Sequence, residues 1–127
     1  MYHIGIDVIR KYIIIEVSGH MTMNEVQEYV KDLTDTIYKY EDKELSMLIM
    51  AQRMDPLSQE CLPTFKEAIR VTLTRIKKMA VVHTRFVTQM QMRRIEEEVC
   101  GELKMNCMIR RFKTKREAMN YLNDEDE

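Results

Sequence analysis

The strongest constraint on the fold is a regular alternation between short apolar runs and longer segments whose apolar residues recur at helical spacing. Residues 12–17, 45–51 and 79–83 are apolar runs that predict buried strands. Between these runs, apolar residues recur every three or four positions, the period of one buried helix face. Parallel strands need crossover helices of this kind, so the sequence predicts an α/β fold with a mixed, mostly parallel sheet.

The start of the chain predicts a β-hairpin. Residues 2–8 alternate, with Ile4, Ile6 and Val8 on one side, and residues 12–17 supply the second strand. A turn near residues 9–11 is the simplest connection between them. Gly19 follows and is expected to break the second strand.

Helices and strands then alternate to the end of the sequence. The spacing predicts helices over 22–40, 62–76, 87–103 and 114–122, with a last strand over 105–112. The predicted order is therefore β-β-α-β-α-β-α-β-α, with right-handed crossovers.

Polar residues and glycine predict the helix ends. Thr22 or Asn24 is expected to cap the first helix, and Thr114 the last, because their side-chain oxygens can accept from free N–H groups. Ser58 is expected to start the second helix. Gly101 is expected to help end the third.

Length and composition predict one globular domain. The 127 residues, of which 45% are hydrophobic and 32% charged, suit a single core. We expect this domain over residues 1–122, followed by an acidic tail over 123–127. The sequence has neither a run long enough to span a bilayer nor a signal-peptide pattern, so we expect a cytoplasmic protein without a membrane span.

The net charge of −1 hides a basic second half, since residues 61–122 carry 14 basic and 6 acidic side chains. Glutamates interleave these cations, and no aromatic stacking series accompanies them. Solvated helix faces or an acidic protein partner therefore explain the charge better than nucleic acid does.

Three cysteines, Cys61, Cys100 and Cys107, form no CxxC pair. We expect neither a disulfide framework nor a zinc site, and interpret them as small buried side chains. The twelve methionines are likewise expected to fill the core rather than form an adaptable binding surface.

The sequence resembles the STAS and SpoIIAA-like group, the domains of bacterial anti-sigma-factor antagonists and of the cytosolic tails of sulfate transporters. The resemblance covers nearly the whole chain. It depends on the element order, on Val-Ser-Gly-His-Met-Thr at residues 17–22, and on the closing residues 112–122. It implies the STAS/SpoIIAA-like fold and a regulatory domain that binds a protein.

One departure from that family concerns its phosphorylation switch. Antagonists carry an Asp-Ser-Ser-Gly segment at the start of the second helix, and its serine is phosphorylated. The corresponding residues 58–61 here are Ser-Gln-Glu-Cys, so the acceptor position falls at Glu60. A carboxylate imitates a phosphate poorly, and the switch is not carried over. Ser58 remains a nearby hydroxyl.

Candidate site residues come from the loops after three parallel strands. In open α/β sheets, ligands bind beyond the carboxyl ends of the strands, where the strand order changes direction. The residues that this rule selects for partner or ligand binding are His20, Asp55, Ser58, Glu60, Cys61, His83 and Arg85. We expect no cofactor, because the three glycines form no phosphate-binding cluster, and no metal, because the histidines lack a ligand series.

Three functions remain open from the sequence. The leading hypothesis is a non-enzymatic domain that binds a protein through the 54–62 loop and the second helix. A second is a carrier of a small apolar or anionic molecule, or of a lipid, in a pocket between helix and sheet. A third is an enzyme in which His20 or His83 activates Cys61 or Ser58, although serine and cysteine enzyme motifs are absent. A homodimer through the hairpin edge is a further prediction.

Overall fold

The computed structural model describes residues 1–83, 85–106 and 109–124. The strands are β1 (Tyr2–Asp7), β2 (Tyr12–Gly19), β3 (Ser46–Met54), β4 (Met79–Val82) and β5 (Ile109–Phe112). The helices are α1 (Met23–Ile37), α2 (Leu62–Arg75), α3 (Phe86–Leu103) and α4 (Lys115–Asn123). A 3₁₀ turn, Gln59–Cys61, leads into α2. The predicted order of strands and helices is confirmed.

The five strands form one mixed sheet. β1 pairs with β2 in antiparallel fashion, and the other neighbouring strands are parallel. Their spatial order, β1-β2-β3-β4-β5, follows the sequence. Because this order never reverses among the described strands, the sheet lacks the ligand crevice that forms where strand order changes direction, and the sequence-based site prediction assumed that crevice.

Helices cover the two faces of the sheet unequally. α1, α2 and α3 pack on one face over the main core, which includes Ile13, Ile15 and Met47. α4 packs on the other face, where Ala118 and Leu122 join a smaller cluster with side chains of β3 and β4. The alternating direction of strand side chains thus supplies both cores.

Side-chain caps define the starts of α1 and α4 as predicted. Thr22 Oγ1 accepts a hydrogen bond of 3.2 Å from the N–H of Glu25. Thr114 Oγ1 accepts one of 3.2 Å from Glu117 in the same way. Asn24 therefore lies inside α1 and is not its cap.

The ends of helices α1 and α3 differ from the prediction. α1 ends at Ile37, before Tyr40. α3 continues through Gly101, and Lys104 ends it by adopting a left-handed backbone with φ of 53°. The N–H of Lys104 donates to the carbonyls of Cys100 and Gly101. The prediction that Gly101 helps end this helix is wrong, because Lys104 takes the left-handed position that glycine usually occupies.

The strands also differ in extent. Gly19 is the last residue of β2, with φ of 68°, and β3 continues to Met54 rather than ending at residue 51. β5 begins at Ile109, whereas Met105 and Asn106 are not in a strand. Residues 107 and 108 of the predicted strand lie outside the described residues.

The cysteines require one correction. Cys61 is a free, buried thiol, as expected. Cys100 is disulfide-bonded, so the expectation of no disulfide is wrong there. Spacing along the sequence does not reveal which thiols the fold brings within bonding distance. Cys107 lies outside the described residues.

The limits of the domain stay a prediction. α4 includes Asn123, one residue beyond the predicted domain end at 122. Of the predicted acidic tail, residues 125–127 lie outside the described part of the chain.

Candidate functional site

Hydrogen bonds fasten the loop after β3 to helix α3. Thr88 Oγ1 donates to the carbonyl of Met54 at 2.8 Å, and Thr88 is fully buried. The N–H of Leu57 donates to Gln91 Oε1 at 2.7 Å, while Gln91 Nε2 donates to the carbonyl of Leu57 at 2.8 Å. These three bonds satisfy loop backbone groups, so the loop is held in one arrangement. Neither Thr88 nor Gln91 was a candidate from the sequence.

Asp55 and Arg85 are the two predicted site residues that a direct ion pair joins. Arg85 Nη1 contacts Asp55 Oδ1, and both side chains are about half exposed. The N–H of Asp55 also donates to the carbonyl of Gly19 at 3.1 Å, which joins the β3 loop to the end of β2. The pair therefore lies on the surface and bridges the β3 loop to the start of α3.

Ser58 and Cys61 lie together at the entrance to α2. Ser58 Oγ and Cys61 Sγ form a hydrogen bond of 3.2 Å, and Cys61 is completely buried. Ser58 precedes the 3₁₀ turn, but its side chain does not cap it. Glu60 projects from the same turn and is exposed.

The two candidate histidines occupy different environments. His20 is exposed between β2 and α1, near Glu25, whose carboxyl pKa is held low by the amino group of Met1 and more weakly by His20. His83 is buried just after β4. Neither histidine is hydrogen-bonded to Ser58 or Cys61 within the described ranges, so the contact needed to activate a nucleophile is missing from this arrangement.

His83 belongs to a buried polar cluster. Neither of its ring nitrogens has a hydrogen-bond partner among the described residues. Burial, and secondarily the charge of Arg111, lower the pKa of His83 to about 4, so the ring is neutral at pH 7. Arg111 forms an ion pair with Glu96, which is only 3% exposed. Burial, then the charge of Arg93, lowers the Arg111 pKa to about 10.

A sequence signal for Glu96 exists, although it was missed. Glu96 follows Met92 by four positions and precedes Val99 by three, so it occupies the buried face of α3. A carboxylate on such a face requires a cation, and Arg111 on β5 supplies it. The position of Glu96 within the apolar pattern of α3 is therefore a sequence signal for a buried ion pair.

Beside this cluster is a small internal cavity between the sheet and the helices. Its volume is about 30 Å³, and its lining includes Phe65, Met92, His83 and Glu96. A site for a small molecule usually needs about 300 Å³ or more. The cavity accommodates about one water molecule. The structure therefore provides no preformed carrier pocket at this place.

The start of α3 exposes three large apolar side chains. Phe86 is 72% exposed, Val87 65% and Met90 50%. We call these three residues the docking patch. The helical spacing predicts a buried face that includes Val87, Met90, Met92, Ile95 and Val99. Met92, Ile95 and Val99 are buried as predicted, but Thr88 takes the buried face in the first turn, and Val87 and Met90 lie in solvent.

The docking patch continues into an open groove between the start of α2 and α3. The groove has a volume of about 860 Å³, and Met90 belongs to both surfaces. Leu62 and Pro63 form its apolar side, and Arg93 and Arg94 contribute exposed cations. Neither arginine forms an ion pair with another described residue. We call this surface the α2/α3 groove.

The basic residues of the second half do not form one surface. Lys77 and Lys78 precede β4, whereas Lys113 and Lys115 follow β5. Because these strands are parallel, the two groups lie at opposite ends of the sheet. Arg111 already forms an ion pair with Glu96, so its charge is not available to a ligand. This dispersion does not suit a nucleic-acid surface.

Within the described ranges, no cluster of three or more histidine, cysteine or acidic side chains is arranged to hold a metal ion. None of the helices described is both long and apolar enough to cross a membrane.

Comparison with known proteins gives a family and a fold. The model of the SpoIIAA-like family matches residues 12–123. Among solved structures, an uncharacterized protein from Shewanella loihica PV-4 with a SpoIIAA-like fold is similar, with a TM-score of 0.67 and 17% sequence identity. The alignment covers 95% of this chain and 93% of that one. No curated protein matches the sequence.

Proposed function

This chain belongs to the SpoIIAA-like family, and we propose that it is a non-enzymatic cytoplasmic domain that binds a protein through the docking patch and the α2/α3 groove. The observation that carries the proposal is the exposure of Phe86, Val87 and Met90 on one helix start. The sequence-based hypothesis placed recognition on the 54–62 loop and α2. The proposal retains that region as one side of the surface and adds α3.

The exposed apolar side chains favour a protein as the ligand. Phe86 and Met90 are four residues apart on α3, so they share one face. Adjacent large apolar side chains in solvent commonly mark interaction sites, because covering them gains hydrophobic free energy. An aromatic side chain beside a methionine is also a frequent anchor at interfaces. The patch therefore offers a centre for binding.

The charges around the patch indicate the chemistry of the partner. Arg93 and Arg94 are exposed without a described ion-pair partner, whereas Lys66 is neutralised by Glu98 and Glu102. Glu97 also lines the groove and is exposed, so two unpaired cations stand against one unpaired carboxylate among the described residues there. A partner segment with apolar side chains for the patch and carboxylates for the two arginines would complement this surface. We infer an amphipathic, acidic partner segment.

The fixed loop beside the patch supports binding without large rearrangement. Thr88 and Gln91 hold the loop from Met54 to Leu57 against α3. A surface that is already ordered loses less conformational entropy on association. Recognition by this region is therefore expected to be pre-organised.

The proposal includes no serine phosphorylation switch. The sequence resemblance puts Glu60 at the position where family antagonists carry the acceptor serine, and Glu60 is exposed beside the groove residue Gln59. Ser58 is occupied by its contact with Cys61. Binding would then be constitutive or regulated by other means.

Variants of the docking patch test this function. The partner is first captured by cross-linking from source cells, identified and purified, and its Kd is then measured by calorimetry. The double variant F86S/M90S is expected to weaken binding by about tenfold or more, because it removes the apolar anchors. The control is I9S, which removes an apolar side chain of 94% exposure from the β1–β2 turn.

Arginine variants test the acidic character of the partner. The double variant R93E/R94E should weaken the same complex, and added salt should weaken the wild-type complex. If F86S/M90S and R93E/R94E bind every captured partner with wild-type affinity, the proposed surface is wrong. A small molecule co-purifying in native mass spectrometry, with no protein captured, would favour the carrier instead.

A further inference from the structure

Strand β1 leaves one edge of the sheet open. It lies at the end of the strand order and pairs only with β2. Met1 and Ser18 exchange two main-chain hydrogen bonds of 2.8 Å. Since hydrogen-bonded and non-hydrogen-bonded residue pairs alternate along an antiparallel ladder, this pair determines which residues of β1 bond to β2. The residues whose N–H and C=O groups then point away from β2 are Tyr2, Ile4 and Ile6. No described residue outside the strand bonds to these groups.

Within the part of the chain that the structure describes, β1 lacks the features that usually protect an edge strand. Natural edges are blunted by lysine, proline, bulges or a covering element. β1 has six residues, YHIGID, without lysine or proline, and its register with β2 is regular. The edge is therefore able to accept another strand.

A row of carboxylates borders the open edge. Glu25, Glu28, Asp32 and Asp35 are spaced by three or four residues along α1, so they lie on one helix face. Together with Tyr2, His3 and Ile4 they line a groove of about 630 Å³. The Tyr2 hydroxyl donates to Asp32, which places the row directly beside the strand.

Part of this negative charge has no compensation. Glu25 pairs with the amino group of Met1, and Asp35 pairs with Lys31. Neither Glu28 nor Asp32 forms an ion pair with a described residue, although Lys31 lies near enough to Asp32 for a weaker charge interaction. The four carboxylates outnumber the two cations of the groove lining, Lys39 and the amino group of Met1. The groove therefore favours a cationic occupant.

We propose that the β1 edge binds an extended protein segment rich in lysine or arginine, which adds a sixth strand to the sheet. Main-chain groups of the segment pair with the outward groups of Tyr2, Ile4 and Ile6. Every second side chain of an added strand faces α1, because side chains alternate between the two faces. Cations at those positions meet Glu28 and Asp32.

The same charges argue against a second copy of this chain as the occupant. Antiparallel pairing of two β1 strands about a two-fold axis would place the two α1 helices side by side on one face of the joined sheet. Glu28 and Asp32 would then face their own copies. Facing carboxylates repel each other and oppose pairing of the two β1 strands, so the homodimer predicted through this edge is disfavoured.

The test uses a labelled peptide of about eight residues that alternates lysine with valine. We expect saturable binding at low salt that weakens as salt is added. A glutamate–valine peptide should not bind. A lysine–valine peptide N-methylated on the amides that face β1 should lose binding, because it cannot donate to the edge. Equal binding by the methylated peptide would overturn the proposal.

Charge reversal on α1 localises the site. E28K should weaken binding of the lysine–valine peptide by about fivefold, since an attraction is replaced by a repulsion. The matched control is E97K, on an exposed position of α3, which should bind normally. Equal weakening by both variants would mean a non-specific charge effect and would overturn the proposal.

Two further measurements distinguish peptide binding at this edge from binding at the docking patch and from self-association. F86S/M90S should bind the peptide normally, so the edge and the docking patch can fail independently. Sedimentation of the wild-type protein and of I4P, which removes an outward N–H, tests the second copy. If the wild-type protein is a dimer and I4P is a monomer, the β1 edge is a dimer interface and the proposal is wrong.

Discussion

At the scale of single residues, His83 shows most clearly what the sequence predicts and what it does not. Its place after a buried strand was predicted, because 79–83 is an apolar run. Its burial without a hydrogen-bond partner among the described residues was not, since its surroundings come from other segments: the charge of Arg111 on β5 acts on it, and Glu96 on α3 lines the same cavity. Such contacts between distant segments are invisible to spacing arguments. The histidine is thus buried in the core.

The lowered pKa of His83 predicts a pH dependence of stability. The unfolded chain takes up a proton near pH 6.5, whereas the folded chain resists protonation until about pH 4. The contribution of this group is therefore fully present above about pH 6.5 and declines as the pH falls toward 4. We expect a loss of up to about 3 kcal/mol in the free energy of unfolding over that interval.

Urea denaturation at several pH values checks this expectation. The difference between wild type and H83L isolates the histidine from carboxylates that also titrate at low pH. The stability of H83L should fall less than that of wild type between pH 6.5 and 4. Parallel pH profiles for the two proteins would show that the buried ring does not resist protonation.

At the scale of elements, the period of the apolar residues predicted the order and direction of the strands. The ends of elements were less predictable, because one residue decides them: Lys104, not Gly101, ends α3. The facing of α3 was predicted correctly for Met92, Ile95 and Val99, but not for its first turn. Val87 and Met90 fit the helical period, yet Thr88 occupies the buried face there. The docking patch exists because these first apolar side chains lie outside the buried face.

The link between the β3 loop and α3 gives a prediction at this scale. Q91A removes both bonds to Leu57 and leaves its main-chain groups without a partner. We expect a loss of about 2 kcal/mol in stability and faster hydrogen exchange at the Leu57 amide. Q89A changes a neighbouring glutamine that makes no described side-chain hydrogen bond, and should have little effect. Equal effects of both changes would contradict the proposed fastening of the loop.

At the scale of the whole molecule, the predicted site was only partly assembled. Asp55 forms an ion pair with Arg85, and Ser58 forms a hydrogen bond with Cys61. Among the described residues, neither His20 nor His83 is hydrogen-bonded to Ser58 or Cys61. The expectation of a crevice depended on a reversal of strand order that the sheet does not have. Function is therefore expected on outer surfaces. Helix α3 and the edge of β1 provide two such surfaces of different chemistry.

The proposed protein partner covers the docking patch and the adjoining part of the α2/α3 groove. Hydrogen–deuterium exchange of the purified complex, compared with the free protein, measures whether these surfaces become protected. We expect slower exchange in residues 86–94 and 57–63 on binding, with no change in α4. Protection confined to α4 or to β1, with the start of α3 unchanged, would contradict it.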